Sequence, residues 1–305
     1  VEPFAGSLAV LLARPHPPQI ETVNDADGFI CNFFRALQSD PETVARYADW
    51  PVNENDLHAR HRWLVGQRQG LTARLEGNPE YCDARIAGWW VWGISCWIGG
   101  GWCSGQGPWT VNDAQELVRL DGTGQGVHRG RVQLGDGGMG VHRPGQRGEL
   151  GTWFVALADR LRHVRVCCGD WSRVCGPTPT VKHGVTGLLL DPPYGTAANR
   201  DADVYATDSL TVADDVRQWA LAHGDDPRLR IALCGYDGEH AMPHDWTRVG
   251  WKAQGGYGSQ DDGRGRANAQ RETVWFSPHC LRAGLFDGDD SDRQNSVIDL
   301  DAHLR

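Results

Sequence analysis

The chain has 305 residues, of which 40% are hydrophobic and 23% charged. That balance excludes a disordered chain and allows one α/β domain of ordinary core size, with or without a sizeable insertion. The formal charge is −9, so contact with nucleic acid would have to come from a local basic patch rather than from the overall field.

The nine cysteines include no Cys-x-x-Cys pair and no zinc-site spacing. They read as reduced thiols of a cytosolic protein, and no metal is expected. Cys167 and Cys168 are adjacent and would face opposite sides of a strand. The apolar window from Ile86 to Trp102 raises a membrane question. Its five glycines and its lack of a long aliphatic run argue against a spanning helix. No signal peptide is read. Val1 enters a motif at once, so the chain is expected to lack its natural amino terminus.

The first motif, Glu2-Pro3-Phe4-Ala5-Gly6-Ser7, predicts a short strand ending at Phe4, a small-residue turn, and a helix from about Leu8 to Pro15. Strand, glycine turn and helix form the first unit of a nucleotide-binding half-fold. The pattern Gly-x-Gly-x-x-Gly does not occur here, which argues against a dinucleotide oxidoreductase. Glu21 to Asp25 predicts a second strand ending in a carboxylate. At that place an acid either holds ribose hydroxyls or caps the next helix; taken alone, Asp25 reads as the cap. The helix, Gly28 to Gln38, carries Phe29, Phe33, Phe34 and Leu37 on one face. Asp40-Pro41 starts another helix with a cap and an early proline.

Between about residues 51 and 150 the composition changes. A polar helix (Asn55 to Gln69) precedes a stretch holding Trp89, Trp90, Trp92, Trp97, Trp102 and Trp109. Rings that large are usually buried, so most of these are expected in a core. Gly122 to Gly148 is glycine-rich and carries Arg129, Arg131, Arg143 and Arg147. This is either a solvated loop or a phosphate-contacting surface.

The α/β pattern then returns. Trp153, Leu157 and Leu161 stripe a helix, and Val164 to Cys168 reads as a strand followed by Gly169-Asp170-Trp171. Gly187-Leu188-Leu189-Leu190 reads as a strand buried on both faces. It stops at Asp191-Pro192-Pro193-Tyr194, a stiff polar loop. A helix with Val212, Val216, Trp219 and Ala220 on one face ends at Gly224, and Ile231 to Gly235 is a further strand. Val249 to Ala253 and Thr273 to Ser277 predict a terminal antiparallel hairpin. The tail after residue 285 is acidic.

Three strand-end acids behind a Phe-Ala-Gly turn resemble the Dam-like class of S-adenosylmethionine-dependent adenine-specific DNA methyltransferases. The matching pieces are Glu2 to Ser7, Val23-Asn24-Asp25, Gly169-Asp170-Trp171 and Asp191 to Tyr194, with Leu233 to Tyr236 and Arg271 to Trp275 behind them. The resemblance covers residues 1 to about 50 and 150 to 280. It implies a Rossmann-like methyltransferase fold, with a mostly parallel sheet, a C-terminal antiparallel hairpin and an inserted target-recognition domain. The implied division is 1–50 and 151–285 for the methyltransferase domain, 51–150 for the insertion and 286–305 for the tail. Glu2, Pro3, Phe4, Ala5, Gly6, Ser7, Asp25, Asp170, Trp171 and Asp191 would bind S-adenosyl-L-methionine. Asp191, Pro192, Pro193 and Tyr194 would act on a flipped adenine. Arg129, Arg131, Arg143 and Arg147 would contact double-stranded DNA. The resemblance further implies a cytoplasmic protein of a prokaryotic cell or phage-infected host, a monomer or dimer, with no membrane or metal partner. The same tetrad would also suit another planar amine (cytosine, RNA or a protein amide), and a catalytically silent DNA-binding relative would keep the fold. Leu8 stands where the family usually has a small residue, and it would crowd the cofactor's amino-acid moiety.

Overall fold

The computed structural model describes residues 1–14, 19–97, 102–103, 109–111, 114, 117–119, 150–193, 211–250 and 271–280, the backbone alone for 109–111 and 117–119. In chain order the elements are α1 (Ala9–Ala13), β1 (Glu21–Asp25), α2 (Gly28–Ser39), α3 (Pro41–Ala48), α4 (Glu54–Arg68), α5 (Leu71–Gly77) and α6 (Ala84–Cys96). After these come β2 (Trp109–Val111), β3 (Leu117–Arg119), α7 (Leu150–Leu161), β4 (Val164–Cys168), β5 (Thr186–Leu190), α8 (Val212–His223), β6 (Leu229–Tyr236), β7 (Thr247–Gly250) and β8 (Glu272–Phe276).

The fold is mixed α/β around a mostly parallel sheet. β1 pairs in parallel with β4, and β5 in parallel with β6; β8 then pairs antiparallel with both β6 and β7. The first three residues join these groups. Glu2 bridges Val23 in parallel, its amide donating to Thr22 O and its carbonyl accepting from Asn24 N, both at 2.9 Å. The Val1 nitrogen donates to Gly187 O at 2.7 Å, and its carbonyl accepts from Leu189 N at 3.0 Å. Alternate residues of one short segment thus serve opposite neighbours, as in a central parallel strand. The spatial order is β4, β1, residues 1–3, β5, β6, β8, β7. The expected leading strand ending at Phe4 is therefore present as a three-residue tie between two sheet halves.

Helix starts follow the local chemistry. Asp27, not Asp25, caps α2, accepting from Phe29 N at 2.8 Å. The expected apolar face of α2 is buried in full at Phe29, Phe33, Phe34 and Leu37. Asp40 caps α3 with Pro41 in its first turn, and Asp83 caps α6 through Ile86 N. The helix α6 ends at Cys96, and among the described residues no helix is long and apolar enough to cross a membrane.

Two cores flank the sheet. The first gathers Leu8, Leu11 and Val23 with the inner faces of α2 to α7. Trp92, Trp97 and Trp102 are buried there, with Trp89 and Trp90 partly so. The second packs Leu188, Leu190, Ile231 and Leu233 against Val216, Ala220, Trp246 and Trp275.

Two sequence expectations are corrected. The face of α7 that enters the core is Leu150, Phe154 and Leu161, while Trp153 is 56% exposed. Both stripes have helical spacing, and the ring of Phe154 takes the place against Phe33 (centroids 6.0 Å apart). The leucine run of β5 is not evenly covered: Leu188 and Leu190 are buried, Leu189 is half-buried and Gly187 exposed. Gly224 follows His223, the last residue of α8, as the sequence predicts, with φ −62°. A side chain there would meet the Trp246 ring at 2.5 Å, so packing accounts for the glycine.

Candidate functional site

The site is built at the carboxyl edge of the parallel strands, where open α/β sheets place their ligands. Register makes the alignment explicit. Val1 lies opposite Leu188, so three residues on, Phe4 is level with Asp191. Glu2 lies opposite Val23, so two residues on, Phe4 is also level with Asp25, which in turn pairs with Cys168. Neighbouring strands are about 4.8 Å apart, so Asp25 and Asp191 flank Phe4 with backbones roughly 10 Å from each other. The remaining acid, Asp170, follows Cys168 by two residues.

Asp25 is the organising side chain. Its Oδ2 accepts the Gly6 amide at 3.1 Å and its Oδ1 the Asp27 amide at 2.9 Å. The sequence reading of Asp25 as the cap of the following helix gives way to this role, because the α2 cap sits two residues later. The carboxylate, with about four acceptor sites in all, keeps capacity for an outside donor. Burial pushes the carboxyl up to about 6, against the opposing pull of the Asp27, Gly6 and Ala26 amides. Burial likewise raises Asp27 and Glu2.

The turn after Phe4 is unusual. Gly6 has φ +47°, and Leu8 takes φ +58°, a left-handed conformation favoured by glycine. Its side chain is 1% exposed and belongs to the first core. Leu8 therefore packs inward, which removes the expected crowding of the edge and leaves backbone strain in its place. Ala5 is buried, while Gly6 and Ser7 are exposed. Pro3 is buried and offers its carbonyl to Asn24. Glu2 is buried as well, in the electrostatic neighbourhood of Arg14 and Glu21.

Asn24 is the residue that sequence reasoning missed. Its Nδ2 donates to Pro3 O at 3.0 Å and to Gly169 O at 2.9 Å, tying three strand ends together. Its Oδ1 is buried with no hydrogen-bond partner. The signal was an asparagine inside an otherwise well-buried strand, a position that demands partners. Gly169 takes φ +128°, which turns the chain sharply after β4.

Asp170 is exposed and caps a short 3₁₀ turn, Trp171–Val174, by accepting from Ser172 N at 2.9 Å. Trp171 stacks on Phe4 with centroids 6.1 Å apart and an interplanar angle of 28°, and meets Trp219 edge-on at 6.4 Å. These rings floor the edge between Asp170 and Asp191.

Asp191 is exposed at the end of β5, Pro192 is buried and Pro193 half-buried. Burial raises the neighbouring Cys234 thiol, and the charges of Asp191 and Glu272 add to that. Tyr194, Arg129, Arg131, Arg143 and Arg147 lie outside the described residues. The structure thus brings Phe4, Ala5, Gly6, Asp25, Asp170, Trp171 and Asp191 to one edge. Among the described residues no group of three or more histidine, cysteine or acidic side chains could hold a metal ion.

Such an edge can accept hydrogen bonds at both flanks of an aromatic floor. No protein-family model matches the chain, and a search of curated proteins finds no match.

Proposed function

We propose that the protein transfers a methyl group from S-adenosylmethionine to the exocyclic amine of adenine in DNA, on a Rossmann-like methyltransferase fold. The observation that carries this reading is the single row across adjacent strand ends, Asp25, Phe4 and Asp191, with Asp170 one strand further. A mostly parallel sheet closed by the antiparallel β7 and β8 is the arrangement that the resemblance leads one to expect. The Asp-Pro-Pro-Tyr tetrad supports it from the sequence side.

The residues present fit the cofactor's donors. Asp25 has acceptor capacity left for ribose hydroxyls, and Asp170 is exposed for an adenine amine. Bound S-adenosylmethionine would supply an electrophilic methyl group. The chain's own part is to prepare the acceptor. Adenine's amine is a poor nucleophile because its lone pair is delocalised into the ring. The Asp191 carboxylate and the Pro192 carbonyl would accept its two hydrogens, localise that lone pair and favour the positive charge that develops. A charge-assisted hydrogen bond contributes roughly 1.5–3 kcal/mol, and more where it strengthens in the transition state. The two prolines hold the carbonyl stiffly. Tyr194 would stack on the extruded base, giving back roughly 1–3 kcal/mol of the flipping cost.

The test is incubation of the protein with labelled S-adenosylmethionine and DNA of mixed sequence, followed by nucleoside mass spectrometry. Label on N6-methyladenine that is lost in Asp191→Ala supports the reading. Label on cytosine or RNA moves the acceptor and keeps the cofactor. DNA binding without S-adenosylmethionine binding identifies a silent relative and overturns the enzymatic reading.

A further inference from the structure

Directly beneath the row that holds Asp25 lies a pair of thiols from distant parts of the chain. Cys31, in the first turns of α2, directs Sγ at the carbonyls of Asp25 (3.3 Å) and Cys167 (3.5 Å). Those two carbonyls belong to the register partner of Cys168 and to the residue before it, which sets the Cys31 sulfur beside Cys168. Cys168 is the register partner of Asp25 and faces the first core from the end of β4.

The two sulfurs are not equivalent. Cys31 is buried and surrounded by acceptors, so its proton is held and its thiol stays well above the ordinary range. Cys168 is half-buried, and interaction with the neighbouring Cys31 thiol draws its own thiol down. Thr72 of α5 also draws that thiol down. Burial moves Cys96, Cys103, Cys167, Cys175 and Cys234 the other way. Low thiol pKa, partial exposure and an adjacent resolving thiol are the features of a redox-active cysteine.

We propose that Cys31 and Cys168 are a modification site, closing to a reversible disulfide when the protein meets a hydroperoxide. The Cys168 thiolate attacks one peroxide oxygen, the O–O bond breaks, and the leaving hydroxide takes a proton to become water. Cys168 is then a sulfenic acid. The sulfur of Cys31 attacks it, the S–S bond forms and the S–O bond breaks. Hydroxide leaves with the proton of Cys31 as a second water. Two electrons pass from the thiols to the peroxide, and a dithiol returns them. The bond fastens α2 to the turn that carries Asp170 and removes the S–H donor from the Asp25 carbonyl. This assignment does not depend on the proposed methyl transfer.

The experiment treats the full chain with hydrogen peroxide, alkylates the remaining thiols under denaturant and maps the peptides by mass spectrometry. The expected result is a peptide pair joined through Cys31 and Cys168, undone by dithiothreitol, with the free-thiol count falling by two from nine. The bond should persist in Cys167→Ser. In Cys31→Ser, Cys168 should be trapped as sulfenic acid by dimedone. Cys31 and Cys168 both recovered as alkylated thiols, or Cys168 joined to any other cysteine, would overturn the proposal. If Cys31→Ser does not fold, the wild-type peptide map decides alone.

Discussion

The carboxylate of Asp25 accepts the amide of Gly6 at 3.1 Å, nineteen residues back along the chain. Through that bond the second strand fixes the shape of the turn that follows the first. The bond also sets how the site responds to pH. Burial holds the Asp25 carboxyl up to about 6, against about 3.9 for an unfolded chain. The native state therefore binds this proton more tightly than the unfolded state does. The associated stability is fully present below about pH 4 and is lost as pH rises through about 6. About two pH units correspond to roughly 3 kcal/mol. Asp25→Asn keeps the shape and cannot titrate. Urea denaturation at several pH values should show wild-type stability falling relative to the variant across this window; a constant difference would refute the assignment.

His61 has the opposite sign. It is 1% exposed, stacked on Trp97 at 4.7 Å with both ring nitrogens unpartnered. Burial lowers it to about 4, against about 6.5 when unfolded. Its stability contribution is full above about pH 6.5 and is lost as pH falls through about 4. His61→Phe removes two unsatisfied polar atoms from an aromatic box. It should be more stable than wild type at pH 5, by an amount that shrinks toward pH 7, measured by thermal unfolding across that range. A variant less stable than wild type at pH 5 would mean that His61 has a partner in solution.

Leu8 combines a fully buried side chain with left-handed backbone. Leu8→Ala loses the packing, about 2–5 kcal/mol, and keeps a strain of about 1–2 kcal/mol. Leu8→Gly loses the same packing and relieves the strain. Glycine is ordinarily about 1 kcal/mol worse than alanine in regular structure. Here the two variants should unfold at equal denaturant concentrations, or glycine at the higher one. A clearly weaker glycine variant would show that the turn is not strained.

Glu21 and Arg160 form a two-pronged ion pair, at 2.6 and 2.8 Å, while Arg160 also donates to Leu11 O at 3.0 Å. Glu21 is buried on β1, so Arg160→Met leaves its charge only the longer contact with the exposed Arg14 guanidinium, at 3.9 Å. That should cost up to about 3 kcal/mol, the low end for a broken buried pair. Glu21→Gln combined with Arg160→Met should recover part of the loss, and equilibrium unfolding of the two variants checks it.

Much of the frame was legible in the sequence because its boundaries are chemical. Glu21 to Asp25 and Val164 to Cys168 were read with the ends that the structure shows. Asp40-Pro41 announced a helix start that the backbone obeys. Long-range pairing was not legible. Nothing in Val1-Glu2-Pro3 says that one residue bonds Gly187 and Leu189 while the next bonds Thr22 and Asn24. That depends on register between segments up to 186 residues apart. On α7, Trp153 and Phe154 offered competing stripes, and the choice fell to the space left by Phe33. At the candidate site the acids were visible as strand-end residues. The role of Asn24 was hidden because its partners are backbone carbonyls, which have no sequence signature.

Both α6 and α7 rest on α2. The stretch of sequence between Cys103 and Leu150 leaves and returns at points held in the first core. The entropy of closing such an excursion grows only with the logarithm of its length, about 0.6 kcal/mol for each doubling. Evolution can lengthen, shorten or exchange that stretch at little thermodynamic penalty to the fold. The acids of the sheet edge have no such freedom, because each is fixed by register to its neighbours. One molecule thus holds a part whose sequence can drift and a part that can change only in concert.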